Sequence, residues 1–199
     1  MKKGAFALTP LPLPRLATLN DKNKILALYR EVTSRPHGLV REAREITEEY
    51  VDKFLGNSLA GGIILVVDDG KGARLIGEIH TYKPSLQALS HVLEHLTVVV
   101  HPSFQRRGVG RALFIAMLDK VRSDHPEVLR VELIAKESNH AAISLYRSLG
   151  FVEEGRMEKR IKKPDGSFEA DILMVWMNPD YNWECSLNIH ENKNRTGKK

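Results

Sequence analysis

The 199-residue sequence predicts a single mixed α/β domain. Two observations lead there. Segments in which apolar residues alternate are interleaved with segments in which they recur every three to four positions, so strands and helices mix along the chain. The segments also come in a definite order: a strand, two helices, an antiparallel hairpin, then strand–helix–strand–helix and a closing hairpin, with glycine- or proline-bearing turns between them. A chain of this length buries a substantial core. Its 42% apolar and 28% charged residues are ordinary for a globular protein.

Residues 1–14, with two lysines, a short apolar run and several prolines, read as an N-terminal extension. The domain is expected over residues 15–179, and a polar, basic, mobile tail over 180–199. Arg15-Leu16-Ala17-Thr18-Leu19 is a short strand. Asn20 or Asp21 stands where it could cap a helix through Ile25, Leu28, Tyr29 and Val32, which Pro36-His37-Gly38 should stop. Thr47-Glu48-Glu49 opens a second helix whose buried stripe is Tyr50, Val51, Phe54 and Leu55. Gly62 to Val67 and Arg74 to His80 pair as a hairpin about the turn at 68–72. Gly77 in its second strand marks a bulge or the close approach of another backbone. Further on, Val128 to Ala135 is a strand and Asn139 to Leu149 a helix closed by Gly150. The last hairpin runs from Phe151 through Arg160, turns at Pro164-Asp165-Gly166 and returns over Ile172 to Trp176.

The chain is organised around Val92 to Arg122. An alternating strand, Val92 to Val100, leads through a glycine- and arginine-rich turn, His101 to Gly110, into an amphipathic helix with Leu113, Ala116, Met117 and Val121 at helical spacing. The turn holds Gln105-Arg106-Arg107-Gly108-Val109-Gly110, of the form Q-x-x-G-x-G, and Arg111 follows it. Glycines let a backbone approach an anion closely. The first amides of a helix lack intrahelical partners and carry the positive end of its dipole. Arginines add charge-assisted hydrogen bonds. Together these residue types suit a phosphate.

The turn resembles the pyrophosphate-binding motif of the GNAT superfamily of acyl-CoA-dependent N-acyltransferases. Downstream, Asn139 to Phe151 fits N-x-x-A-x-x-L-Y-x-x-x-G-F, a second motif similar to that family's, in the right order. The resemblance covers about Arg15 to Pro179 and is tightest over Glu94 to Phe151. It implies a GNAT-like, mostly antiparallel central sheet flanked by helices and splayed where acyl-CoA sits. It implies acetyl-CoA as cosubstrate, with Gln105, Arg106, Arg107, Gly108, Val109, Gly110 and Arg111 on the pyrophosphate. The backbone of Val98, Val99 and Val100 would lie along the pantetheine arm, and Asn139 and Tyr146 would be on the cofactor-facing side of their helix.

Glu94 is the candidate general base. A period of two puts it with Val92, Leu96, Val98 and Val100 on one strand face, where a desolvated carboxylate accepts a proton more readily. It precedes Arg107 by thirteen residues, a spacing that resembles the catalytic glutamate of several GNAT-like enzymes. His91 and His95 compete, because histidine titrates near neutrality. On a regular strand His95 points away from Glu94, so the two would not serve one pocket. The resemblance implies Tyr146 as general acid toward the departing thiolate.

The acceptor is expected to be a primary amine, either a small molecule or the amine of a protein or peptide. Net charge is +5, but much of the excess sits at the chain ends and no basic–aromatic interleaving accompanies it, which disfavours a nucleic-acid partner. The alternatives are a non-catalytic acyl-CoA-binding regulatory module, which the joint presence of Glu94 and Tyr146 disfavours, and a nucleic-acid-associated basic protein. Cys185 is the one cysteine, histidines are scattered without metal-ligand spacing, and no stretch has a membrane span's length. A cytoplasmic enzyme without a catalytic metal is therefore expected. Nothing in the pattern singles out a dimer interface, and a homodimer stays open.

Overall fold

The structure, a computed structural model, describes residues 12–34 and 39–183. Most of the expected N-terminal extension and tail, Cys185, and the helix stop at Pro36-His37-Gly38 fall outside the described residues. Seven strands, β1 (Arg15–Leu16), β2 (Gly62–Asp68), β3 (Leu75–Tyr82), β4 (Val92–Val100), β5 (Arg130–Lys136), β6 (Val152–Lys162) and β7 (Phe168–Met177), form one sheet. Its order is β1-β2-β3-β4-β5-β7-β6. Every neighbouring pair is antiparallel except β4–β5. Four helices among the described residues complete the fold: α1 (Lys22–Thr33), α2 (Glu48–Gly61), α3 (Val109–Asp124) and α4 (His140–Ser148). Among the described residues, no helix is long and apolar enough to cross a membrane.

The sheet divides two cores. On one face α3 and α4 bury Leu113, Phe114, Met117, Val121 and Tyr146 against Ile76, Ile79, Leu93 and Leu133. On the other, α1 and α2 bury Ile25, Tyr29, Phe54 and Leu55 against Ile64, Val66 and Val99. The stripe expected for α2 is present, with Tyr50 only half-buried. Its cap is also as expected: Thr47 accepts from the Tyr50 amide at 3.2 Å.

Asp21 does something other than cap. It stands at the N-terminus of α1 but makes no side-chain cap there. Its carboxylate turns back to the Thr18 amide, at 2.8 Å, and to the Arg15 guanidinium, at 2.8 and 3.0 Å. β1 is only Arg15–Leu16 rather than the five residues expected, because the chain turns at Thr18, whose amide is held by Asp21, into a short 3-10 turn at Leu19–Asp21.

Of the two readings made of Gly77, the bulge holds and the approach of another backbone is corrected. The β2–β3 register shifts between Val67, opposite Gly77, and Asp68, opposite Leu75. A Cβ on Gly77 would lie 2.8 Å from Val109 Cγ1 and 2.9 Å from Leu113 Cδ1. What presses on it is therefore the side-chain face of α3 rather than another backbone.

Candidate active site

The β4–β5 pair, the sheet's parallel junction, is made by only two residue pairs, Val92↔Arg130 and Leu93↔Val131. Beyond Leu93 the strands part, as the family resemblance implies. The opening is a cleft of about 420 Å³. Leu96 to Val100 of β4 form one side of it, and Ile134 to Lys136 of β5 with Asn139, Ala142, Leu145 and Tyr146 form another. Leu39, Val40 and Arg41 from the α1–α2 connection close it together with Val32 and Tyr50, and Gln105 and Gly110 also line it.

Backbone polarity along β4 follows from one contact. The Gln105 side-chain amide donates to the Val100 carbonyl at 3.2 Å, so that carbonyl is turned away from β3. Polar groups alternate along a strand, so Val98 is turned the same way and Val99, opposite Glu78, bonds toward β3. Val98 thus offers an N–H and a C=O to the cleft, with no strand among the described residues to receive them.

A bulge resets β4. Glu94 pairs with Tyr82 and Thr97 with His80, so His95 and Leu96 together oppose the single residue Thr81. His95 takes up the extra residue with φ 57°. Side-chain alternation changes phase there. Leu93, Leu96, Val98 and Val100 pack toward α3 and α4, whereas Glu94 shares a face with its partner Tyr82, on the α1–α2 side. The expected grouping of Val92, Glu94, Leu96, Val98 and Val100 on one face is therefore corrected, because it assumed an unbroken period of two. The expected separation of Glu94 from His95 is corrected for the same reason. His95 Nε2 lies 2.8 Å from Glu94 Oε1, and its ring stacks on Tyr82 with centroids 4.7 Å apart. Glu94 is half-buried and is not among the residues lining the cleft, which begins two positions later at Leu96.

Behind β4 lies a polar cluster that the sequence reading did not single out. Tyr29 donates to Glu78 Oε2 at 2.7 Å, and His80 Nδ1 stands 3.0 Å from Glu78 Oε1. Phe54 stacks on the His80 ring at 4.0 Å. Burial and the Glu78 charge push the Tyr29 hydroxyl well above the usual tyrosine range. Glu78 and His80 are the cross-strand partners of Val99 and Thr97, so this cluster backs the cleft-lining part of β4.

The turn after β4 has an anion site's form. Gly108, at φ 90°, ends it in the left-handed region that favours glycine, and it gives α3 no side-chain cap. The contrast with α2 and α4 is plain, since Thr47 and Asn139 cap those helices. No acidic residue occupies the first turn of α3, so its leading amides and dipole are left to attract an anion. Arg106 and Arg107 are exposed, the latter over the Phe104 ring at 5.3 Å. Arg111 donates to Ser148 Oγ at 2.8 Å, joining α3 to α4. Val109 is buried beneath Gly77, so it can offer only its backbone. A Cβ on Gly110 would stand 3.6 Å from Val100 Cγ2 and 4.0 Å from Leu145 Cδ2, ordinary contacts. Protein packing does not require a glycine there, but an occupant of the cleft close to the backbone would.

Asn139 and Tyr146 both line the cleft, as two turns of helix imply. Asn139 Oδ1 accepts from the Ala142 amide at 3.2 Å. Tyr146 packs against Phe114 and Phe151 with ring centroids 5.1 and 6.0 Å away. Burial pushes its hydroxyl up to about 12, so it keeps its proton at neutral pH. Gly150, at φ 92°, closes α4 by turning the Phe151 amide onto the Tyr146 carbonyl at 3.0 Å. No group of three or more His, Cys, Asp or Glu among the described residues is arranged to hold a metal ion.

The acetyltransferase (GNAT) family model matches residues 24–151. The chain belongs to that family. An L-amino acid N-acyltransferase from Escherichia coli is 30% identical over 143 residues, 72% of this chain and 81% of that enzyme. The ribosomal protein bS18-alanine N-acetyltransferase of the same species is 38% identical over 78 residues, covering 39% of this chain and 51% of that enzyme. Among solved GNAT-like folds, a ribosomal-protein-alanine N-acetyltransferase from Brucella melitensis superposes with a TM-score of 0.71 at 24% identity, covering 83% of this chain and 99% of that one. The yncA structure from Salmonella typhimurium, which contains its cofactor acetyl-CoA, gives 0.71 at 22% identity over 84% and 94%.

Proposed function

We propose that this GNAT-family protein transfers an acetyl group from acetyl-CoA to a primary amine by direct attack. The observation that carries the reading is the parting of β4 from β5 beyond Leu93, with Tyr146 and the unpaired edge of Val98 on the opening. The residues fit the cofactor. Uncapped amides of α3, with Arg106, Arg107 and Arg111, receive a diphosphate, and Gly110 leaves room beside Val100 and Leu145. Gln105 holds the turn to the end of β4, and Val98 offers main-chain groups to an amide-bearing arm. Asn139 starts the helix that carries Tyr146.

Acetyl-CoA supplies a thioester carbonyl. Glu94 takes a proton from the acceptor's ammonium through an intervening water, since it is not itself a cleft-lining residue, leaving the neutral amine to attack, and the 2.8 Å contact with His95 orients its carboxylate. Tyr146, protonated at neutral pH, donates to the departing thiolate. His95 is the competing base, being 2.8 Å from the carboxylate and more exposed than it. The amines named for the relatives, an L-amino acid and an alanine of a ribosomal protein, are both primary, and the E. coli amino-acid enzyme shares the longer match.

The test is thiol release from acetyl-CoA across amino acids, other small amines and N-terminal peptides, with product mass measured. An acetylated amine 42 Da heavier is the expected result, about the mass of an acetyl group replacing a proton, from a site working by acid–base transfer. Coenzyme A binding without turnover on every acceptor would instead favour a non-catalytic module.

A further inference from the structure

The wall that the α1–α2 connection gives the cleft carries a charge with no counter-ion among the described residues. Arg41 lines the cleft beside Leu39, Val40 and Tyr50. Its guanidinium carbon stands 4.2 Å over the centre of the Tyr50 ring. The Tyr50 side chain also takes a hydrogen bond from Arg41, and with five N–H donors a guanidinium held against a ring in this way keeps others for a ligand. Arg15, Arg130 and Arg156 each hold carboxylates, whereas no described carboxylate lies within ion-pair distance of Arg41. Glu78, whose charge reaches Tyr50, has both oxygens committed to Tyr29 and His80.

Arg41 is exposed at the edge of the cleft, so water solvates its charge, and an anionic group entering there gains charge-assisted hydrogen bonds from a guanidinium that no described carboxylate occupies. The cofactor's phosphates have their own cations at Arg106, Arg107 and Arg111, on the turn into α3. Lys136, the other cation of the cleft, stands on β5 directly across from Asp171, which partly balances it. Arg41 stands apart from both, on a wall otherwise formed by Val32, Leu39, Val40 and Tyr50.

We infer that Arg41 anchors a free carboxylate on the acceptor, so that the acceptor is a small apolar amine bearing a carboxylate, of which an α-amino acid is the simplest. This rests on the acetyl-transfer reading above and narrows it. An amine whose neighbouring carbonyl is tied up in an amide, as at a protein N-terminus, gives Arg41 nothing to bind.

The experiment compares L-leucine, L-methionine and L-phenylalanine with their carboxamides as acceptors for the full chain. The carboxamides hold their ammonium protons less tightly and are the better nucleophiles at neutral pH on chemical grounds alone, so a preference for the acids reports recognition. The expected kcat/KM ratio of acid to carboxamide is ~10- to 100-fold, carried mainly by KM. Arg41→Met should bring the ratio near unity, and Arg41→Lys should restore part of it. Equal use of acid and carboxamide by the native protein would overturn the inference. So would a ratio that survives Arg41→Met, or a loss of acetyl-CoA affinity in that variant with the acceptor ratio intact. Should no amine of either kind release thiol, the acetyl-transfer reading fails by itself. Calorimetric titration of L-leucine and its carboxamide into the coenzyme A-loaded native and Arg41→Met proteins then still decides the anchor, with acid-selective binding lost in the variant as the supporting result and its absence or persistence as the refuting one.

Discussion

His95 and Glu94 are sequence neighbours whose side chains meet at 2.8 Å, because the backbone of His95 enters the left-handed region inside a strand. A regular strand would send them to opposite faces. The bulge converts two competing candidates for one role into a contacting pair.

Replacing the carboxylate of that pair should therefore be severe. Glu94→Gln is expected to lower kcat by ~10²- to 10³-fold. His95→Gln should retain much of the rate. Steady-state kinetics of the two variants separates the candidates, and native rates from Glu94→Gln would move the base to His95.

Tyr146→Phe keeps the packing against Phe114 and Phe151 and removes only the hydroxyl. The expected loss in kcat is ~10²-fold with little change in acetyl-CoA affinity. Since burial raises the hydroxyl to about 12, the acid stays protonated through neutral and mildly alkaline pH. An alkaline fall in rate below about pH 10 then belongs to another group. Full kcat in the variant would leave Tyr146 a packing residue.

Gly77→Ala tests the contact between β3 and the start of α3. The added Cβ would press on Val109 Cγ1 and Leu113 Cδ1 at 2.8 and 2.9 Å, and Leu113 is fully buried with little room to retreat. A loss of ~1–2 kcal/mol in urea unfolding is expected. Weaker coenzyme A binding should accompany it, because Val109 begins the helix whose first amides are proposed to receive the diphosphate.

Asp21 makes an acid-sensitive contribution to stability. Hydrogen bonds from Arg15, with help from Thr18, lower its carboxyl to about 2 from an ordinary value near 3.8. A depressed carboxyl stabilises the fold above its unfolded value and loses that contribution as pH falls through its folded one, here from about 4 down to 2. Arg15 is two-fifths exposed, so solvent screening reduces the effect to ~1–2 kcal/mol. Asp21→Asn should be less stable by that amount at pH 7, with the two unfolding curves converging toward about pH 2.

The sequence made the element order and the β4–α3 and α4 motifs readable because each is written locally: alternation, a glycine turn, a helix with its closing Gly150. The bulge at His95 is not written that way. Residues on both faces of β4 are mostly apolar, so the pattern looks continuous across the change of phase, and no glycine marks the positive φ, which is uncommon at any other residue even though histidine tolerates it better than most. Nor did Glu78, His80 and Tyr29 announce a cluster, since one lies 49 and 51 residues from the others and only sheet pairing and α1 bring them together. Arg41 belongs to a connection without periodicity, and its interest arises from the missing partner rather than from any motif. Asp21 was a reasonable cap by residue type, but Arg15, across the turn, held it more strongly.

The gap beyond Leu93 has a further consequence for how the molecule coexists with others. A strand left without a neighbour ordinarily templates addition of another chain and so invites aggregation. Here the bare margin lies inside the sheet, in a slot walled by α4 and the α1–α2 connection, rather than along its rim. A slender, flexible thread can slip into that slot, while a strand flanked by its own sheet is too broad to enter. The protein thus keeps main-chain groups available for a small partner while denying them to its own kind.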